Sequence, residues 1–152
     1  MELVSPAFGN GEFIPVKYTC DGDDVSPCLF FLNPPENVRS FALIMEDPDA
    51  PGGVFCHWLI YDIPADFEGL PEDVPPAGYL EYEIKQGLND FGNIGYNGPC
   101  PPPGEVHRYF FILMALDVET LGLEPGVTRK EFLEVVDGHV ITTAEIVGLY
   151  RR

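Results

Sequence analysis

The chain has 152 residues, 45% of them hydrophobic, and a formal charge of −17 from 8 basic and 25 acidic side chains. Length and apolar content suit one domain, residues 1–152, with a single sizeable core. The charge repels phosphate backbones and anionic lipid surfaces, so the expected partners include neither nucleic acid nor a membrane held in stable association; screening over roughly 8 Å still lets a local pocket attract an anion.

Taken in chain order, the first residues (MELVSPAFGNGEF) carry neither a basic segment nor a long apolar one, and no later run approaches the ~20 apolar residues that span a bilayer. A soluble, cytoplasmic protein is the expectation. The 16 Gly and 16 Pro favour many turns and few long helices. Strands are predicted at 13–19, 29–32, 40–46, 55–62, 79–85 and 108–116, separated by turn-rich segments such as DGDD, NPPEN, DPDAPGG and NGPCPPPGE. DGDD reads as a turn; Val25 stands where a calcium-binding loop of the EF-hand type needs a ligand. Several runs are apolar on consecutive residues, as in strands covered on both faces. The one clear helix is TRKEFLEVVDG, with Thr128 and Glu131 spaced as a capping box and Gly138 as its stop. A last strand, HVITTAEIVGLY, follows, and the pattern is mainly β, of sandwich type.

Cys20, Cys28, Cys56 and Cys100 show no C-x-x-C spacing, which argues against a zinc knuckle or a thioredoxin-like pair. In a reducing compartment they read as buried thiols, with a Cys20–Cys28 bridge as the alternative that spacing alone does not decide.

The chemistry concentrates around two histidines. His57 opens one apolar strand after the loop Asp47-Pro48-Asp49-Ala50-Pro51-Gly52-Gly53, and His107 opens another after Asn97-Gly98-Pro99-Cys100 and three further prolines and glycine. His139, after Gly138, reads as a turn residue. Two stiff loops, each ending in a histidine, form two walls of one expected pocket. Its donors would be the imidazole N–H groups, the Tyr109 hydroxyl and backbone N–H groups around Gly98, while Asp47 or Asp49 would accept an imidazole N–H and fix its tautomer. Pro48 and Pro51 restrict the loop in advance. Aspartates and histidines also suit metals, but Asp-Pro-Asp in a loop with histidines on separate strands matches no ligand spacing, so no metal or other cofactor is expected. No serine lies in G-x-S-x-G, and Cys56, beside His57, would alternate toward the core.

The segments YTCDGDDVSPCL, EDPDAP, FCHWLIYDIP, GPCPPPGEVHRYFF and DGHVITTAEIVGLYRR together resemble the phosphatidylethanolamine-binding protein family, also called Raf-kinase-inhibitor-like proteins, in its bacterial and archaeal branch. The resemblance implies a β-sandwich of antiparallel sheets with one or two short helices near the C-terminus, and a small pocket for phosphate-like anions. It assigns that pocket to Asp47, Asp49, Pro51, His57, Gly98, Pro99, His107 and Tyr109. Cys28 and Phe31 depart from the family pattern at what look like packing positions. The leading expectation is therefore a non-enzymatic binding protein for a phosphate-like anion or phosphorylated small molecule. The first alternative is an inhibitor of a kinase or serine protease, acting through the loops around 48–53 and 97–104. The second is a weak hydrolase with His57 or His107 as base and an aspartate as orienter. A strand edge or the apolar N-terminal residues offer a surface for a homodimer, with no physical reason to prefer either.

Overall fold

The computed structural model describes residues 1–152. Its strands are β1 (Glu2–Val4), β2 (Leu29–Leu32), β3 (Ser40–Asp47), β4 (Phe55–Pro64), β5 (Gly69–Leu70), β6 (Lys85–Gln86), β7 (Val106–Leu116) and β8 (Val140–Arg151), with a single α-helix, α1 (Arg129–Val136), before the last strand. They form two antiparallel sheets, a small one ordered β1-β2-β5 and a large one ordered β6-β4-β3-β7-β8. No helix is long and apolar enough to cross a membrane.

Both faces of the large sheet are covered, and this explains the unbroken apolar runs. Phe41, Leu43, Met45, Trp58, Ile60, Phe111 and Leu113 face Leu3, Leu29, Phe31 and Leu70 of the small sheet. On the opposite face, Ala42, Ile44, Leu59, Tyr61 and Met114 pack against Phe132 and Val136 of α1. Burying a side chain such as Phe41 or Phe111 contributes about 1.5–3 kcal/mol relative to leaving it exposed. Thr128 caps α1 as expected, accepting the Glu131 N–H while Glu131 Oε1 accepts the Thr128 N–H.

Three expectations are corrected. Residues 13–19 form no strand: Ile14 N–H reaches Leu149 O beside β8, and Pro15 then leads into a 3-10 turn at Val16–Tyr18. That approach requires glycine at 148, where a Cβ would lie 2.4 Å from Ile14 Cγ1. Residues 79–85 alternate like a strand, yet Tyr82 and Glu83 turn left-handed (φ 61° and 62°), so pairing with β4 involves only Lys85–Gln86. Finally, Cys20 is bonded to Cys100, 80 residues away, while Cys28 and Cys56 are free. The folded chain brings together two loops that the sequence separates, so neither the four-thiol reading nor a Cys20–Cys28 bridge holds.

The topology gathers the histidines. β3 lies between β4 and β7, antiparallel to both, so its last residue, Asp47, stands beside the first residues of both neighbours.

Candidate functional site

His57 occupies a break in the ladder. Met45 pairs with Trp58 and Glu46 with Cys56, which leaves His57 as an extra residue in a β-bulge. A bulge re-aims a side chain. Here Cys56 goes to the helix-side core and Trp58 to the sheet-side core, while His57 turns to the sheet end among Phe55, Phe91 and Tyr109, with ring centroids 5.0–5.3 Å away. Cys56 is fully buried, and burial, reinforced by nearby Asp90, pushes its thiol pKa up to about 12. It has no access to the histidines' chemistry.

These residues surround a cavity of about 240 Å³, with Asp47, His57, His107 and Tyr109 as its polar lining and Ala50, Pro51, Phe55, Phe91, Pro101 and Pro102 as its apolar walls. The two histidines are held differently. His57 Nδ1 lies 2.8 Å from the Asn97 carbonyl oxygen, which can only accept, so Nδ1 carries the proton and Nε2 keeps its lone pair. Burial lowers the His57 pKa and favours this neutral form, although the Asn97 hydrogen bond opposes it. His107 has a carboxylate at each nitrogen: Asp47 Oδ2 2.7 Å from Nδ1 and Glu105 Oε2 3.1 Å from Nε2. Burial works against its charge, but these hydrogen bonds prevail and raise its pKa, favouring the imidazolium. The site thus pairs an acceptor imidazole with a donor imidazolium.

The two aspartates of Asp47-Pro48-Asp49 divide the work. Asp47 takes His107 on one oxygen and the Asp49 backbone N–H on the other, at 2.7 Å each. Asp49 orients no histidine. It receives Arg108 through the backbone N–H, Nε and a terminal nitrogen at 2.8–2.9 Å, and those bonds hold its pKa down to about 2. The loop is therefore clamped to β7 at two consecutive residues, His107 and Arg108.

The second loop is also a support. Gly98 offers no N–H to the cavity, because that group donates to Asp24 Oδ1 at 2.7 Å. A Cβ at 98 would lie 2.0 Å from the Tyr18 carbonyl oxygen, so glycine is required there. The Pro99 carbonyl accepts from Cys20 N–H at 3.1 Å, next to the Cys20–Cys100 bond. Of the residues predicted from sequence, Asp47, Pro51, His57, His107 and Tyr109 line the cavity, whereas Asp49, Gly98 and Pro99 sit behind it. The sequence reading missed Glu105, Arg108, Asn97, Asp24, Phe55 and Phe91. The Arg in H-R-Y was the available signal for the Asp49 clamp.

Tyr109 is fully buried, and its hydroxyl makes no well-formed hydrogen bond within the protein, although the Asp47 carboxylate and the Cys100 backbone stand nearby. Burial and the nearby Asp47 and Asp49 carboxylates raise its pKa, so it stays protonated and can donate. Most buried hydroxyls are paired, and an orphan in a cavity wall demands explanation. A larger polar cleft near β6 shows the contrast: its buried Asp62 is satisfied by Lys85, Thr120 and the Leu121 N–H.

The model for the phosphatidylethanolamine-binding protein family matches residues 4–151. The chain is 52% identical to a UPF0098 protein of Aquifex aeolicus, across 100% of this chain and 89% of that one. It is 51% identical to a UPF0098 protein of Methanothermobacter thermautotrophicus, across 100% and 99%. Among solved structures it is similar to the Chlamydia trachomatis homologue of phosphatidylethanolamine-binding protein, with a TM-score of 0.89 and 42% identity over 99% of this chain and 97% of that one. It also resembles Escherichia coli YbcL, described as a member of the mammalian family, with a TM-score of 0.91 and 33% identity over 99% and 98%. The family match over nearly the whole chain, the sequence relatives and the solved structures agree: the chain belongs to the phosphatidylethanolamine-binding protein family.

Proposed function

We propose that this protein binds small phosphate-like oxyanions, as inorganic phosphate or as a phosphomonoester, in the cavity between His57 and His107. The orphaned Tyr109 hydroxyl carries the reading, because a buried donor without a well-formed hydrogen bond gains most from an incoming oxygen. The His107 imidazolium supplies a second donor and the charge that compensates the anion. His57 adds selectivity. Its Nε2 lone pair accepts a hydrogen bond, so it suits an anion that keeps a P–O–H, namely hydrogen phosphate near neutral pH or a phosphomonoester in its monoanionic form, over sulfate, which has none. The apolar walls lower the local dielectric and strengthen each of these bonds. A phosphate has few atoms on which to build contacts, so affinity is modest.

The test is a titration with inorganic phosphate and O-phosphoethanolamine near pH 7, followed at the ring signals of His57 and His107 by NMR, with Tyr109→Phe alongside. Saturable shifts at both rings, weakened in the variant, support the reading. Rings that stay unshifted at millimolar ligand would sink it.

A further inference from the structure

His107, which lines the cavity, has a second hydrogen-bond partner outside the lining that the anion reading leaves unused. Glu105, in the loop before β7, places Oε2 3.1 Å from His107 Nε2; its side chain is 55% exposed, while that of the imidazole is 5% exposed. The buried ring thus turns one nitrogen inward to Asp47 and the other toward solvent, where a carboxylate of its own chain covers it. A carboxylate oxygen and a phosphate oxygen are the same kind of acceptor, and one N–H serves one of them at full strength. The backbone beneath Glu105 is fixed, with Gly104 N–H on the Arg152 carbonyl and Glu105 N–H on the Pro102 carbonyl. Removing the carboxylate from the ring therefore takes side-chain rotation alone.

Resting on the reading of this cavity as an anion site, we propose that Glu105 is a built-in competitor: it holds the His107 Nε2–H that an oxyanion takes, and an entering anion displaces it into solvent. Its exposure fits this role, since a solvent-screened ion pair is weak enough to be exchanged. The consequence is a raised threshold. Weak or dilute anions leave Glu105 in place, and ligands that also engage Tyr109 and His57 win the exchange.

The test is calorimetric titration of inorganic phosphate into the wild type, Glu105→Ala, Glu105→Gln and Glu145→Ala at pH 6, where the Asp47 hydrogen bond favours the charged His107 ring without help from Glu105. Glu145 is exposed on β8 opposite Ile112, so its removal changes net charge equally without touching His107. The competitor predicts binding about threefold tighter in Glu105→Ala, an intermediate gain in Glu105→Gln, and no comparable gain in Glu145→Ala. A damaged site would weaken binding, so tighter binding does not arise from misfolding. Equal or weaker binding in Glu105→Ala, or an equal gain in Glu145→Ala, overturns the competitor while the anion site stands. Phosphate that binds neither the wild type nor Glu105→Ala overturns both.

Discussion

Asp24 holds Gly98 across 74 residues of sequence: its Oδ1 accepts the Gly98 N–H at 2.7 Å, and its Oδ2 accepts the Asn97 side-chain amide at 3.1 Å. The Asn97 carbonyl in turn holds His57 Nδ1. A turn residue in the first quarter of the chain thereby sets which nitrogen of His57 is free in the cavity.

Asp24 has a left-handed backbone (φ 57°), which Asn tolerates far better than a residue without a local hydrogen-bonding side chain. Asp24→Asn therefore tests the bonds rather than the turn. It keeps an acceptor for Gly98 but opposes a donor to the Asn97 amide, and we expect a loss of about 1–2 kcal/mol. Long-range nitrogen–proton NMR correlations of His57 should show one tautomer in the wild type and a mixture in the variant. An unchanged single tautomer would mean that His57 is oriented without Asp24.

His57 and His107 give stability opposite slopes on either side of their shared unfolded pKa, ~6.5. The His57 pKa is lowered by burial, so stability declines as pH falls below that value. The His107 pKa is raised because its carboxylate hydrogen bonds outweigh burial, so its contribution is complete below ~6.5 and disappears as pH rises through the folded value. Urea denaturation of the wild type and Asp47→Asn from pH 5 to 9 isolates the second effect. The variant should be less stable by about 1–3 kcal/mol at pH 6, with the difference narrowing on the alkaline side. A difference independent of pH would show that Asp47 does not stabilise the charged ring.

Much of this was legible in the chain itself. Consecutive apolar residues in β3, β4 and β7 announced strands covered on both faces, and Thr128 with Glu131 marked the start of α1. The loop-ending histidines were visible for the same reason that they matter: polar rings at the ends of core strands are out of place. The supports were not visible. Asp24 and Glu105 are two of 25 acidic residues, and nothing local separates a carboxylate that orders a loop from one that solvates a surface. The partition of Asp47 to His107 and Asp49 to Arg108 depends on β-sheet register, as does the bulge that turns His57 away from both cores.

The Cys20–Cys100 bond joins the Asp24 turn to the wall that contains Asn97, closing a loop across 80 residues of sequence. Constraining so long a loop in the unfolded chain gives about 2–4 kcal/mol of stability. Cys20→Ser/Cys100→Ser should lower the unfolding free energy by that amount while keeping a folded wall, because the Cys20 N–H to Pro99, the Gly98 N–H to Asp24 and the Tyr96 hydroxyl to the Tyr18 carbonyl all remain. Equal denaturation midpoints for the double variant and the wild type, measured without reductant, would contradict the contribution.

Tyr109→Phe should separate binding from folding. Most deletions of a buried hydroxyl destabilise, because they break a hydrogen bond and strand its partner. The Tyr109 hydroxyl makes no well-formed hydrogen bond in the protein, and Asp47 beside it keeps its own bonds to His107 and the Asp49 N–H, so removing the hydroxyl strands little and relieves a poorly compensated desolvation cost. Thermal and urea unfolding should therefore show stability unchanged or increased by up to about 1 kcal/mol. The same change removes a donor from the cavity and should weaken phosphate binding by roughly tenfold, corresponding to the loss of one charge-assisted hydrogen bond. The two measurements move in opposite directions only if the hydroxyl is kept for a ligand. A variant that loses stability along with affinity would show instead that Tyr109 is a packing residue whose hydroxyl finds its partner in the folded chain in solution.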